Sequence, residues 1–168
     1  MPSMKISFQK AGYEPRGQDG PFRMDHDTTI NVVMQRSIWL AAGQALSSTL
    51  FRDDVFFPVR SDALDVDDAP FCAPCKLVRV SVPTNGPLTA RVSWAASNSE
   101  FSLWIAQQKR PGNRDLVEAH GTSDELTTTL QVIPGVDALV HFGLAPIGFR
   151  SQMLSADLPF HLSTSLGP

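Results

Sequence analysis

Apolar and polar residues alternate with a period of two along much of the chain, most clearly from Leu77 to Ile105. Val78, Val80 and Val82 alternate with Arg79 and Ser81. Leu88, Ala90, Val92 and Trp94 alternate with Thr89, Arg91 and Ser93. Phe101, Leu103 and Ile105 alternate with Ser102 and Trp104. Such a period sends one set of side chains to a core and the other outward, as in a half-buried strand. Pro83-Thr84-Asn85-Gly86-Pro87 separates the first two runs. An Asn-Gly step tolerates the positive backbone angles of a tight turn, and the prolines stop a ladder from continuing, so three strands joined by short turns are predicted.

The same pattern recurs on both sides. Towards the C-terminus it predicts a short strand at Leu116–Ala119, then strands at 126–132, 139–144 and 159–166, divided by turns at 107–113 (containing Pro111-Gly112), at 121–125 and at Pro134-Gly135. Upstream, residues 37–51 carry alanines that favour helix. The span is short and Gly43 interrupts it, so two strands, Ile38–Leu40 and Leu46–Phe51, are predicted around a turn at Ala42-Gly43-Gln44. That makes eight or nine strands between 37 and 166 and no helix, at the spacing of an all-β antiparallel sandwich. Before residue 37 only two strands are predicted, at 5–11 and 28–36, with a polar loop at 16–27. Two strands alone make no stable domain. Residues 1–36 therefore need further strands upstream or a partner to pack against.

Two resemblances follow from these residues. Ser7 to Pro15, with its Gly12-Tyr13-Glu14-Pro15 step, followed by the Thr28-Thr29-Ile30-Asn31-Val32-Val33-Met34 strand, resembles the last two strands of a carboxypeptidase regulatory-like domain, a small transthyretin-like sandwich. Residues 37–168 resemble a bacterial pre-peptidase C-terminal-type domain, a jelly-roll-like sandwich appended to secreted enzymes. The likeness rests on the opening around Ala41-Ala42-Gly43-Gln44-Ala45, then LTARVSW at 88–94, TTTLQVIPGVDALVHFGL at 127–144 and the closing PFHLSTSL at 159–166. Where that family often carries DLDLYL, this chain has Glu100-Phe101-Ser102-Leu103-Trp104-Ile105. Two outward aspartates become Glu100 and Ser102, which places any cation role of that pair in doubt. The resemblances imply two units, a partial transthyretin-like segment at 1–36 and a sandwich at 37–168.

Composition narrows the function. The chain has 168 residues, of which 42% are hydrophobic and 18% charged, and a net charge of -3. Its 14 basic residues are scattered, which argues against nucleic acid. No apolar run approaches the roughly 20 residues that cross a bilayer. No secretory leader is visible, so the chain is either cytosolic or a piece of a longer exported one. The second alternative is preferred, with an extracellular or periplasmic location.

Chemistry-bearing groups are few. Cys72 and Cys75 form a C-x-x-C. A strand rather than a helix follows, unlike a thioredoxin-type site, and His26, His120, His141 and His161 stand singly, which gives zinc no second pair of ligands. A local disulfide fits best, with two free buried thiols as the alternative; a disulfide suits an oxidising compartment. Residues 52–70 hold six of the seventeen acids. Asp53, Asp54, Asp65, Asp67 and Asp68 would suit calcium if they converged, but no EF-hand spacing is present and a solvated acidic loop explains them equally. No cofactor is otherwise implied.

No serine lies in a G-x-S-x-G elbow. His141 or His161 near Asp137 or Asp157 would be the sole candidate dyad. If Phe101, Leu103 and Ile105 face inward, Trp104 faces outward, to stack on a sugar or to be covered by its own chain. Trp94 is read as core and Trp39 is ambiguous.

The expected function is therefore a non-catalytic accessory or interaction module of a secreted or cell-surface bacterial protein. Its partners would be the parent's other domains or a polysaccharide. The alternative is a carbohydrate-binding module using an exposed Trp104 with Arg91 and Ser102.

Overall fold

A computed structural model describes residues 4–8, 10–13, 16–20, 36–52, 54, 74–95, 97–110, 113–145 and 154–168. Among them no helix is found. A two-stranded sheet pairs β1 (Met4–Phe8) with β2 (Arg16–Gly20). Nine further strands follow: β3 (Ile38–Ala41), β4 (Ala45–Leu50), β5 (Cys75–Ser81), β6 (Gly86–Trp94), β7 (Phe101–Arg110), β8 (Asn113–Gly121), β9 (Glu125–Val132), β10 (Ala138–Leu144) and β11 (Leu158–Leu166). They form a five-stranded sheet in the order β3-β5-β10-β7-β8 and a four-stranded sheet in the order β4-β11-β6-β9. Every pairing is antiparallel except β3 with β5, which is parallel.

The two larger sheets pack face to face as a β-sandwich. Their inner faces carry the alternate residues singled out by the period of two. Val78, Val80, Leu88, Ala90, Val92, Trp94, Phe101, Leu103, Ile105, Val140, Phe142, Leu144, Phe160 and Leu162 belong to one buried cluster. At one end four aromatic rings meet. Phe142 lies 5.2 Å from Trp94, 5.5 Å from Phe101 and 5.0 Å from Phe160, centroid to centroid.

The chain changes sheet at every step from β3 to β11 except between β7 and β8. The expected turn at Asn85-Gly86 is thus a sheet-to-sheet crossing, not a hairpin. β5 takes its ladder from β3 and β10, and β6 from β11 and β9. Glycine is required at 86 for a different reason from a hairpin turn. Its φ is +154°, and a Cβ there would stand 2.5 Å from the Gly167 carbonyl oxygen. Only a residue without a side chain lets the C-terminal backbone pass so close.

Two other expectations change. Strand β7 runs on through residues read as a polar turn, because Gln107 continues the inward phase of Leu103 and Ile105. Gln107 is fully buried. Its Nε2 donates to the carbonyls of Ile133 (2.8 Å) and Val136 (2.7 Å), and its Oε1 accepts from Ile133 N–H (2.8 Å). An inward polar side chain is stable there because it satisfies the backbone of the β9–β10 crossing, which would otherwise be buried unpaired. Strand β2 forms within the expected polar loop. Its glycines have low strand propensity, so its ladder to β1, from Met4↔Gly20 to Phe8↔Arg16, decides the matter rather than local preference. Residues 28–35 of the expected strand lie outside the described residues; at its end, Arg36 bridges Tyr13 and Ser37 N–H donates to the Gly12 carbonyl.

Candidate functional site

The sandwich has two outer faces, and they differ in kind. On the five-stranded sheet, register places Leu77, His141, Trp104 and Glu118 in one cross-strand row. Arg79, Leu139, Ala106 and Leu116 form the next. Leu77, Trp104, Ala106 and Leu139 make a second apolar cluster, all buried, with Leu116 packed against it. The Trp104 ring stacks on the His141 imidazole, centroids 4.5 Å apart and planes within 14°. Trp104 is only 3% exposed, and Ser102 and His141 are fully buried. Burial alone drives the His141 pKa down to about 3, so the ring is neutral at physiological pH. Glu118, at the end of that row, is pushed above the usual carboxylate range by burial, with His120 pulling the other way.

The carbohydrate-binding alternative called for an exposed Trp104; the structure places it under cover. The strand phase does turn Trp104 away from the main core, but the outward face of this sheet is itself covered. Nor do Trp104, Ser102 and Arg91 form one site. Arg91 projects from β6 on the outer face of the other sheet, with the whole sandwich between them. Among the described residues the tryptophan that reaches solvent is Trp39, 57% exposed on edge strand β3, with the Arg79 guanidinium 5.7 Å from its ring centroid. Phe51, after β4, is the other large exposed apolar side chain, and Lys76 Nζ lies over its ring.

The outer face of the four-stranded sheet is open. Its outward positions form the rows Ser47–His161–Ser93–Glu125, Ala45–Ser163–Arg91–Thr127 and Ser165–Thr89–Thr129. Arg91 and Glu125 are the only formally charged side chains among the outward positions of its four strands. They pair with each other, and Glu125 raises the Arg91 pKa further. Hydroxyls dominate the rest. Thr89 and Thr129 share a hydrogen bond of 2.9 Å, and Ser47 Oγ lies 3.1 Å from His161 Nδ1. Over β4, β11 and β6 the face is hollowed into a shallow concavity of about 550 Å³, lined by Ser47, Thr49, Ser93, Pro159, His161 and neighbouring backbone. No single residue of this surface signals function in the sequence. The signal is the run of Ser and Thr out of phase with the apolar positions, interrupted by charge at Arg91 and Glu125.

The remaining candidates are distributed as follows. Asp54 is already engaged. Its carboxylate accepts from Phe51 N–H and pairs with Lys76, both at 2.7 Å. Asp53, Asp65, Asp67 and Asp68 lie outside the described residues, and among the described ones no group of His, Cys, Asp or Glu is placed to hold a metal. Cys75 is buried at the start of β5, whereas Cys72 lies outside the described residues. Asp157 Oδ1 accepts from Arg52 N–H, and His161 Nδ1 meets Ser47 Oγ rather than an aspartate. No helix among the described residues is long and apolar enough to cross a membrane.

No family model matches the chain, and no curated protein does. Among solved structures the chain is similar to the pre-peptidase C-terminal domain of a collagenase from Bacillus anthracis. The identity is 10% and the TM-score 0.49, over 80% of this chain and 100% of that one.

Proposed function

We propose that this chain is a non-catalytic accessory module of a secreted or cell-surface bacterial protein, with residues 37–168 forming a rigid sandwich that makes contacts through its open face. One observation carries this reading. The exposed outer face of the four-stranded sheet is broad, nearly uncharged and rich in hydroxyls, and the groups that could do chemistry are elsewhere or engaged. His141, whose pKa burial lowers to about 3, is stacked and shut away from solvent, where it can neither take a proton from nor give one to a substrate. Residues 1–36, read as the end of a transthyretin-like module, would join the sandwich to a preceding domain. A Cys72–Cys75 bridge would fit an oxidising compartment.

Ser47 and His161 form the one serine–histidine contact on the open face, so the reading is tested there. Incubation of the full chain with a fluorophosphonate is expected to leave its intact mass unchanged, and peptide and aryl-ester substrates are expected to remain uncleaved. A phosphonyl adduct mapped to Ser47, with ester turnover lost in Ser47→Ala, would show a hydrolase instead.

A further inference from the structure

We propose that the concavity over β4, β11 and β6 binds a neutral, polyhydroxylated ligand, a glycan chain, through Ser47, Thr49, Ser93 and His161. The proposal rests on the reading of the four-stranded sheet as the contact face and names what it contacts. The concavity, about 550 Å³, is shallow and open, a shape that suits a chain lying along the sheet rather than an enclosed small molecule. Its chemistry then selects the ligand. An ionic partner needs unpaired charge, and the two charges on this face neutralise each other as the Arg91–Glu125 pair. A protein partner needs a buried anchor. Aromatic residues and methionine are enriched at such interfaces, yet none of the outward positions of β4, β6, β9 and β11 carries either.

Hydrogen-bonding capacity is what the surface does have. Each hydroxyl both donates and accepts, and can rotate to suit its partner. Ser47, His161 and Ser93 stand side by side on three neighbouring strands, spaced about 4.8 Å apart across the sheet. Ser47 and Thr49, two residues apart on β4, lie roughly 6.8 Å from each other along it. The Ser47 contact occupies His161 Nδ1. In either tautomer this leaves Nε2 to project as one further donor or acceptor. Pro159, exposed beside His161, supplies an apolar ring edge. Interleaved donors and acceptors around a small apolar patch complement the equatorial hydroxyls and axial C–H groups of a pyranose. Trp104, the aromatic that the sequence offered for this purpose, is buried on the other sheet and takes no part.

The test is native affinity electrophoresis of the full chain in gels containing soluble glucan, xylan or mannan. At least one polymer is expected to retard the chain, with apparent affinity reduced about tenfold or more in Ser47→Ala/His161→Ala. Thr129→Ala, on the same face beyond the concavity, and Trp104→Phe, on the opposite one, should bind as the parent does. All the substituted concavity residues are exposed, and unchanged thermal unfolding would confirm intact folding. Absence of retardation by every polymer, or equal retardation of the double variant, would overturn the glycan site. Either result would leave the accessory reading standing if the fluorophosphonate still fails to label Ser47, so the two can fail separately.

Discussion

Phe142→Ala is expected to lower the unfolding free energy by about 3–5 kcal/mol. Phe142 is 1% exposed on β10, the central strand of the five-stranded sheet. Its ring touches Trp94 and Phe160 across the layers and Phe101 in its own sheet. Truncation removes the transfer free energy of the ring, leaves a cavity, and breaks aromatic contacts worth roughly 0.5–1.5 kcal/mol each beyond burial. Domains are stable by only about 5–15 kcal/mol, so one substitution removes a large share. Urea unfolding followed by tryptophan fluorescence measures the loss, with Gln131→Ala on the open face as a control expected within about 0.5 kcal/mol of the parent. If the two variants lost similar amounts, the inner faces would not be packed as described.

Acid is expected to destabilise the fold through His141 before the carboxylates are fully protonated. Its pKa is near 6.5 when unfolded and about 3 in the folded chain, because burial disfavours the imidazolium. The sign follows from proton counting. Between these values the unfolded state holds the proton and the folded state does not. The stability is therefore fully present above pH 6.5 and is lost as pH falls towards 3, at up to about 1.4 kcal/mol per pH unit and a few kcal/mol in all. Glu118 acts in the opposite direction. Its pKa is raised in the folded chain, so its protonation favours the folded state as pH drops. Comparing the parent with His141→Phe at each pH cancels that contribution. The variant should lose clearly less stability between pH 7 and pH 4. Parallel pH profiles would mean that His141 is hydrated and protonates freely.

These two residues also show where the sequence could be read and where it could not. Phe142 was legible because Val140, Phe142 and Leu144 share one phase of a period-two run, and such a phase has one meaning once a sheet has a core side. His141 and Trp104 have the other phase, which sequence reading assigns to solvent. That assignment holds for the four-stranded sheet, where Ser47, Arg91, Thr129 and His161 do reach water. It fails for the five-stranded sheet, whose outward row Leu77–His141–Trp104 is as buried as the core. Leu77, Trp104, Leu139 and Leu116, apolar at outward positions of four different strands, are the trace of this in the sequence. They become a patch only once β5, β10, β7 and β8 are known to be neighbours.

Strand neighbours are what local pattern does not carry. The Asn85-Gly86 turn has the residues of a hairpin, yet its strands enter different sheets. Gly86 answers to Gly167, 81 positions away, rather than to its own turn. Likewise Arg91 and Trp104 looked like one site because they are close in sequence on successive strands, and successive strands here alternate between layers.

The shut outer face of the five-stranded sheet, which leaves the opposite face for contacts, is tested most directly by the three tryptophans. Limited oxidation of the folded chain with N-bromosuccinimide, followed by peptide mass mapping, should modify Trp39 and spare Trp94 and Trp104 until denaturant is added. Oxidation of Trp104 in the folded chain as fast as that of Trp39 would contradict it.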